Sequence, residues 1–262
     1  TYQGLRTALE RGANEEAVIL YAMYSACSAK QGNYSEAHKA ANQALVLLER
    51  HPHCADTPYV YMSIGTFVWF YNQPIKDAIT QQEKAHELGS EYGDIVLGVV
   101  AGYSNAQINL YASGLNLGQL QANLSTLKTL MHKHGVKVLA GSYYPRLVAM
   151  LTQPETGNHL DEIAFSAEEW QLIQSCVLKA FIEHLQVQAF FWRDQQSEAW
   201  LAANAAEASL PLMSGFVTAL EQRFIAALLA CRQTDLEAQK PIVQRSLDEL
   251  EELNCLCPEN IG

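Results

Sequence analysis

Three short stretches hold residue types that bind metals or move protons. His132-Lys133-His134 sets two imidazoles two positions apart. On a helix such a pair diverges, since only residues three or four apart share a face. The stretch fits a cationic helix C-terminus, favoured by the helix dipole, better than a shared ligand set. His51-Pro52-His53-Cys54 has the freedom of a turn, but nothing near it in sequence completes a tetrahedral metal site. Cys255-Leu256-Cys257 lacks the two-residue spacer of a zinc knuckle and has no second pair. Glu168-Glu169 and Glu249, Glu251 and Glu252 fit solvated helix faces, whereas paired catalytic acids must face one cleft. No catalytic, metal-binding or cofactor-binding residue is expected.

The chain has no Gly-rich phosphate loop ending in Lys-Ser or Lys-Thr, no Gly-x-Gly-x-x-Gly and no Gly-x-Ser-x-Gly. A free-standing enzyme is therefore disfavoured. Two groups remain as binding candidates. Asn42, Gln43, Asn105, Gln107 and Asn109 are uncharged polar residues suited to peptide-backbone contacts. Trp69, followed by Phe70 and Tyr71, could join Tyr103 and Tyr111 in lining a peptide groove or a small-ligand pocket. The plainer expectation is that these aromatics fill space between helices.

Those residues need a scaffold, and composition allows a large one. Of 262 residues, 49% are hydrophobic and 17% charged, enough for a sizeable core in one or two domains. The net charge is −11, with 17 scattered Lys and Arg, which argues against nucleic-acid partners. Cys27, Cys54, Cys176, Cys231, Cys255 and Cys257 are too sparse for a disulfide framework and fit free thiols in a reducing cytoplasm. The longest candidate for a membrane span, Ile95 to Ala101, is far too short and is interrupted by Gly98. No signal peptide opens the chain, which starts at Thr1 without Met. It is expected to be a segment of a longer, cytoplasmic protein.

Periodicity is helical throughout. After the small, apolar run Tyr21 to Cys27 and a break at Gln31-Gly32-Asn33, Tyr34, Ala37, Ala41, Ala44, Leu45 and Leu48 recur at steps of three or four. That pattern predicts two antiparallel helices in close contact, in the manner of a tetratricopeptide (TPR) hairpin. Ala78 and Ala85 stand 41 residues after Ala37 and Ala44, against roughly 34 for a standard repeat, and Ala199 restarts the pattern. Further helices are expected over Gly4 to Arg11, Tyr59 to Tyr71, Ile75 to Leu88, Asp94 to Tyr111 with Asp94 as N-cap, and Leu117 to Met131. Val136 to Leu151 reads as another, with Pro145 an alternative start. A long helix should run from a capping box at Ser166-Ala167-Glu168-Glu169 to Trp192. Others cover Ser197 to Leu210, Ser214 to Arg232 and Pro241 to Leu253. The expected architecture is all-α, about twelve helices in a right-handed superhelix of irregular TPR-like hairpins. Residues 1–152 and 167–262 form its two parts, joined by an irregular connection over 153–166.

Four local signatures, in order, resemble the helical region of large bacterial signalling proteins, frequent in cyanobacteria. They are Gly93-Asp94 before a long helix, the break Ser113-Gly114-Leu115-Asn116-Leu117, the passage from Phe191-Trp192-Arg193-Asp194 to Ala199, and the box Cys257-Pro258-Glu259-Asn260. Ile261 departs from the aromatic usual after that Asn. Those proteins join a serine/threonine kinase, an AAA-type ATPase, a TPR-like region, a GAF domain and a histidine kinase. The resemblance implies a non-catalytic regulatory or scaffolding module with a protein or peptide partner, or flanking domains of the same chain. It transfers no functional residue. The alternative is a helical domain of an ATPase-coupled regulator that senses a small molecule.

Overall fold

A computed structural model describes residues 2–10, 15–136, 139–152 and 176–260. The chain is all-α, with no strand among the described residues. Its α-helices are α1 (Tyr2–Glu10), α2 (Glu15–Lys30), α3 (Tyr34–Arg50), α4 (Thr57–Phe67), α5 (Trp69–Asn72), α6 (Ile75–Tyr92), α7 (Tyr103–Ala112), α8 (Leu117–His134), α9 (Leu139–Thr152), α10 (Cys176–Trp192), α11 (Gln196–Ala206), α12 (Val217–Cys231) and α13 (Leu236–Leu256). A π-helix, Ile95–Gly102, leads into α7, and short 3-10 turns occupy Leu210–Met213 and Pro258–Asn260.

The first hairpin forms where its sequence pattern places it. Gly32 takes the left-handed conformation (φ 78°) that lets the chain reverse between α2 and α3. Ala37, Ala41 and Ala44 are fully buried and pack in one core with Ala17, Val18 and Ala22 of α2. Without longer side chains at these positions the two backbones close up. Ala78 and Ala85 on α6, and Ala199 on α11, are equally buried.

Glycines take over where helices approach closer still. A Cβ on Gly65 of α4 would lie 2.7 Å from the Ala78 carbonyl oxygen, and one on Gly89 of α6 would lie 2.5 Å from the Val99 nitrogen. Gly98 meets the Cα of Gly89 in the same way. The π-helix thus lies directly against the α6 backbone.

Several boundaries differ from expectation. The stretch from Asp94 opens as a π-helix, with Val99 N–H donating five residues back to the Asp94 carbonyl (3.0 Å). Asp94 does cap it, accepting from Leu97 N–H at 3.0 Å. Pro145 lies inside α9 and Pro241 inside α13, so neither starts its helix. Each sits within the first two turns, where a missing N–H leaves most of the helix intact. Helix α11 stops at Ala206, ahead of the 3-10 turn that holds Pro211. The expected connection over 153–166 and the capping box at Ser166 lie outside the described residues.

The C-terminal elements return to the N-terminal ones. Leu253 of α13 shares a core with Ala37, Ile64 and Ala78. Phe216 meets the Phe67 ring edge-on (4.9 Å between centroids), and the Lys30 ammonium sits 4.7 Å from the Phe67 centroid. Gly215 N–H donates to the Tyr71 hydroxyl (3.1 Å), and the Ser214 hydroxyl donates to the Lys30 carbonyl (3.0 Å). The 3-10 turn ends on Asn260, which bonds to the connection between α5 and α6.

Candidate functional site

Helix α10 buries Phe181, Ile182, Leu185 and Ala189. His184 and Gln188, four residues apart and so on one face, are equally buried. Polar groups at that depth require hydrogen-bonding partners, and α12 supplies them. His184 Nδ1 lies 2.8 Å from Gln222 Oε1, and Nε2 lies 3.4 Å from Glu221 Oε2. Gln188 Nε2 donates to the same Glu221 oxygen at 3.2 Å. Glu221 keeps 23% of its side chain exposed, so a buried imidazole and amide meet a carboxylate that reaches the surface.

Two phenols complete the cluster. Tyr144 of α9 is buried, packs in one core with Leu185 and Ala189, and meets Tyr111 of α7 edge-on at 5.8 Å. Burial first, then the Glu221 carboxylate and Tyr111, pushes the Tyr144 phenol well above its ordinary range. Burial and Glu221 push Tyr111 up as well. Both stay protonated donors at neutral pH. Yet among the described residues the Tyr144 hydroxyl has no hydrogen-bond partner, and neither has Gln188 Oε1.

The polar residues singled out in the sequence lie elsewhere. Asn42 and Gln43 are exposed on α3. Asn105 and Asn109 face α4 and α6: Asn105 Nδ2 donates to Thr66 Oγ1 (2.9 Å), and Asn109 Nδ2 donates to Gln82 Oε1 (3.1 Å). Gln107 accepts from Asn123 Nδ2 at 2.7 Å. Gln107 and Asn109 are buried, so three of the five amides bond helix to helix inside the fold. The aromatic candidates divide between two cores. Trp69 packs with the first hairpin and stacks on His38 (5.4 Å), while Tyr103 and Tyr111 pack around α7 and α8.

His132, Lys133 and His134 occupy the last turn of α8. His51 to Cys54 form the turn before α4, where the buried Cys54 thiol is pushed up by desolvation. Cys257 is buried and Cys255 exposed. Glu249 pairs with Arg223 at 2.9 Å, Glu251 and Glu252 are exposed, and Glu168-Glu169 lie outside the described residues. No group of three or more His, Cys, Asp or Glu among the described residues is arranged to hold a metal ion, and no helix among them is long and apolar enough to cross a membrane. No protein-family model, curated protein or solved structure matches the chain.

Sequence reasoning passed over His184, Gln188, Glu221, Gln222 and Tyr144. One signal for them existed: His184 and Gln188 stand four residues apart among Phe181, Ile182, Leu185 and Ala189, a spacing that puts both on one helix face.

Proposed function

We propose that this chain is an irregular TPR-like superhelix serving as a non-catalytic regulatory module of a cytoplasmic multidomain signalling kinase. In this role it binds a protein or peptide partner, or flanking domains of the same chain. The observation that carries this reading is the recurrence of one packing device. Ala37 and Ala44, Ala78 and Ala85, and Ala199 are all buried, each after a short break between helices, as expected of stacked hairpins. Asn42 and Gln43, exposed on α3, are the members of the polar set available to a partner. The test is the native reading frame on either side of the segment. Kinase catalytic-loop and phosphate-binding-loop sequences in that frame support the reading, and a frame that encodes neither sinks it.

A second reading, a helical domain that senses a small molecule, is favoured by one observation. Among the described residues, Tyr144 and Gln188 hold polar atoms without a hydrogen-bond partner, Gln188 on the Glu221 carboxylate that reaches the surface and Tyr144 packed with Leu185 and Ala189 of the same helix. Native interiors rarely leave such groups unsatisfied without a ligand, a water or a functional reason. A thermal shift across a metabolite panel tests it, because a ligand that binds only the folded state raises Tm by mass action.

A further inference from the structure

We propose that the outward face of α13, with the groove beside it, docks a basic amphipathic helix of a partner protein or peptide. This rests on the partner-binding reading and names both its surface and the chemistry of the occupant.

Helix α13 carries two stripes. Ser246 and Leu253 turn inward and are buried, and between them Glu249 pairs with Arg223 of α12. About a quarter turn away round the helix, Leu236, Val243, Leu247 and Leu250 recur at the steps of a helix-packing seam, with Lys240 in the gap between the first two. Leu236 and Leu247 are 55% and 52% exposed, and Val243 and Leu250 are half-buried. Among the described residues none of these four packs into a core. A groove of about 540 Å³ opens along the first part of the stripe, lined by Leu236, Lys240, Val243 and Gln244 together with Ala230 and Cys231 at the end of α12. Apolar side chains left in water at seam spacing, beside a walled groove, mark a place for another surface.

The lining sets the shape of the occupant and the rim sets its charge. An extended peptide docks by adding to a sheet edge, and no strand exists among the described residues. A polyproline segment needs an aromatic-lined groove, whereas the apolar lining here is aliphatic. A helix with apolar residues at matching three- and four-residue steps fits the stripe. At the rim, Lys240 is paired with Glu237 (2.6 Å), and Arg245 with Glu207 (2.8 Å). Gln244 donates from the groove lining to Asp248 Oδ1 (2.8 Å), which places that carboxylate at the groove's edge. Glu251 follows three residues on, on the same face. Asp248 and Glu251 are exposed, and neither has a cationic partner among the described residues. The unpaired charge is therefore negative, which favours lysines and arginines flanking the partner's apolar face. A second copy would bring the same carboxylates and a net charge of −11, which disfavours self-association.

The test uses the whole chain and a fluorescein-labelled peptide designed as an amphipathic helix, with leucines at seam positions and lysines on either side. One comparator carries glutamate in place of lysine, and another carries two prolines in mid-helix. Fluorescence anisotropy should show the lysine peptide binding, the glutamate peptide binding about tenfold more weakly or worse, and the proline peptide not binding. The double variant Leu236→Ser, Leu247→Ser should weaken the lysine peptide about tenfold or more. The double variant Asp248→Lys, Glu251→Lys should reverse the preference between the two charged peptides. Glu83→Lys with Glu87→Lys, the same change on exposed positions of α6, should leave both affinities within about twofold at physiological ionic strength. Bound lysine peptide should slow alkylation of Cys231 and not of Cys27, both exposed in the free chain. All the substituted side chains are exposed, and each variant is checked for unchanged helical circular dichroism. Absence of binding by the lysine peptide, or weakening by both charge reversals alike, overturns the surface and leaves the signalling reading to its own test. A wild-type dimer that the double serine variant dissolves overturns the partner in favour of a second copy. With peptide binding as expected, a reading frame without kinase sequences would sink the signalling role and leave the docking surface standing.

Discussion

Asn260 connects the last described residue to an element 185 positions earlier. Its Oδ1 accepts from Ile75 N–H at 2.8 Å, and Nδ2 donates to the Phe70 and Gln73 carbonyls. Ile75 is the first residue of α6, where the helix leaves its N–H without an internal acceptor. One side chain therefore serves three backbone groups. Replacing Asn260 with Ala should cost about 2 kcal/mol, the sum of a few net hydrogen bonds, read as a lower urea midpoint at unchanged slope. Asn260→Asp should do no better, because it loses both donors and sets a carboxylate against two carbonyl oxygens. If Asp restored wild-type stability, the Nδ2 bonds would carry no weight. The sequence marked Cys257-Pro258-Glu259-Asn260 as a box but gave no reason for it. Its partners lie far away in the chain, and no local pattern encodes a bond over that separation. His184 and Glu221 escaped notice for the same reason, being brought together by two helices that neither residue's own neighbourhood describes.

Among the elements, the π-helix shows how close approach reshapes a helix. Ile95 to Gly102 looks like an ordinary apolar helix in sequence, and the Asp94 cap was legible there because capping is local chemistry. The wider turn was not legible, since it answers to α6. Gly98 and Gly102 both meet that helix's backbone, Gly102 within 2.9 Å of the Gln82 carbonyl oxygen for an added Cβ. Two predictions follow from this contact. Gly89→Ala should lower stability by about 2 kcal/mol or more, because the clashing atoms are backbone and cannot rotate away. Deleting the exposed Val96 should turn α7 by roughly 100° about its axis and pull Asn105 and Asn109 off Thr66 and Gln82. The expected result is lost amide-exchange protection across α7, while Val96→Lys, which keeps the register at a half-exposed position, leaves it intact. Equal protection in the deletion would show that the register of α7 is set elsewhere. The alanine positions were legible because their spacing is local. Pro145 and Pro241 misled because proline marks a first turn in general but tolerates a place slightly deeper.

Across the whole molecule, the tyrosines report whether the two cores open together. Tyr71 sits in the first, under the Gly215 N–H that ties the C-terminal part to α5, and Tyr144 and Tyr111 sit in the second. Burial is the leading cause that raises all three phenols, joined at Tyr71 by Tyr34 and at the other two by Glu221. A phenol whose pKa is higher in the folded chain than in the unfolded one is favoured by folding in its neutral form. Below pH about 10, the unfolded value, both states are protonated and that contribution is complete. Above it the unfolded chain releases protons that the folded chain retains, so stability falls as pH rises. Of the 12 tyrosines, the exposed ones should ionise first, and Tyr71, Tyr111 and Tyr144 only when the helices melt. Phenolate absorbance and far-ultraviolet circular dichroism, recorded together from neutral pH upward, should give an early step without loss of helicity and a late step that coincides with it. Val217 packs against both cores, so the late step should be single. Complete ionisation with helicity preserved would mean that the buried phenols reach water without unfolding. Two separated late steps would mean instead that the packing of Val217 fails to couple the cores.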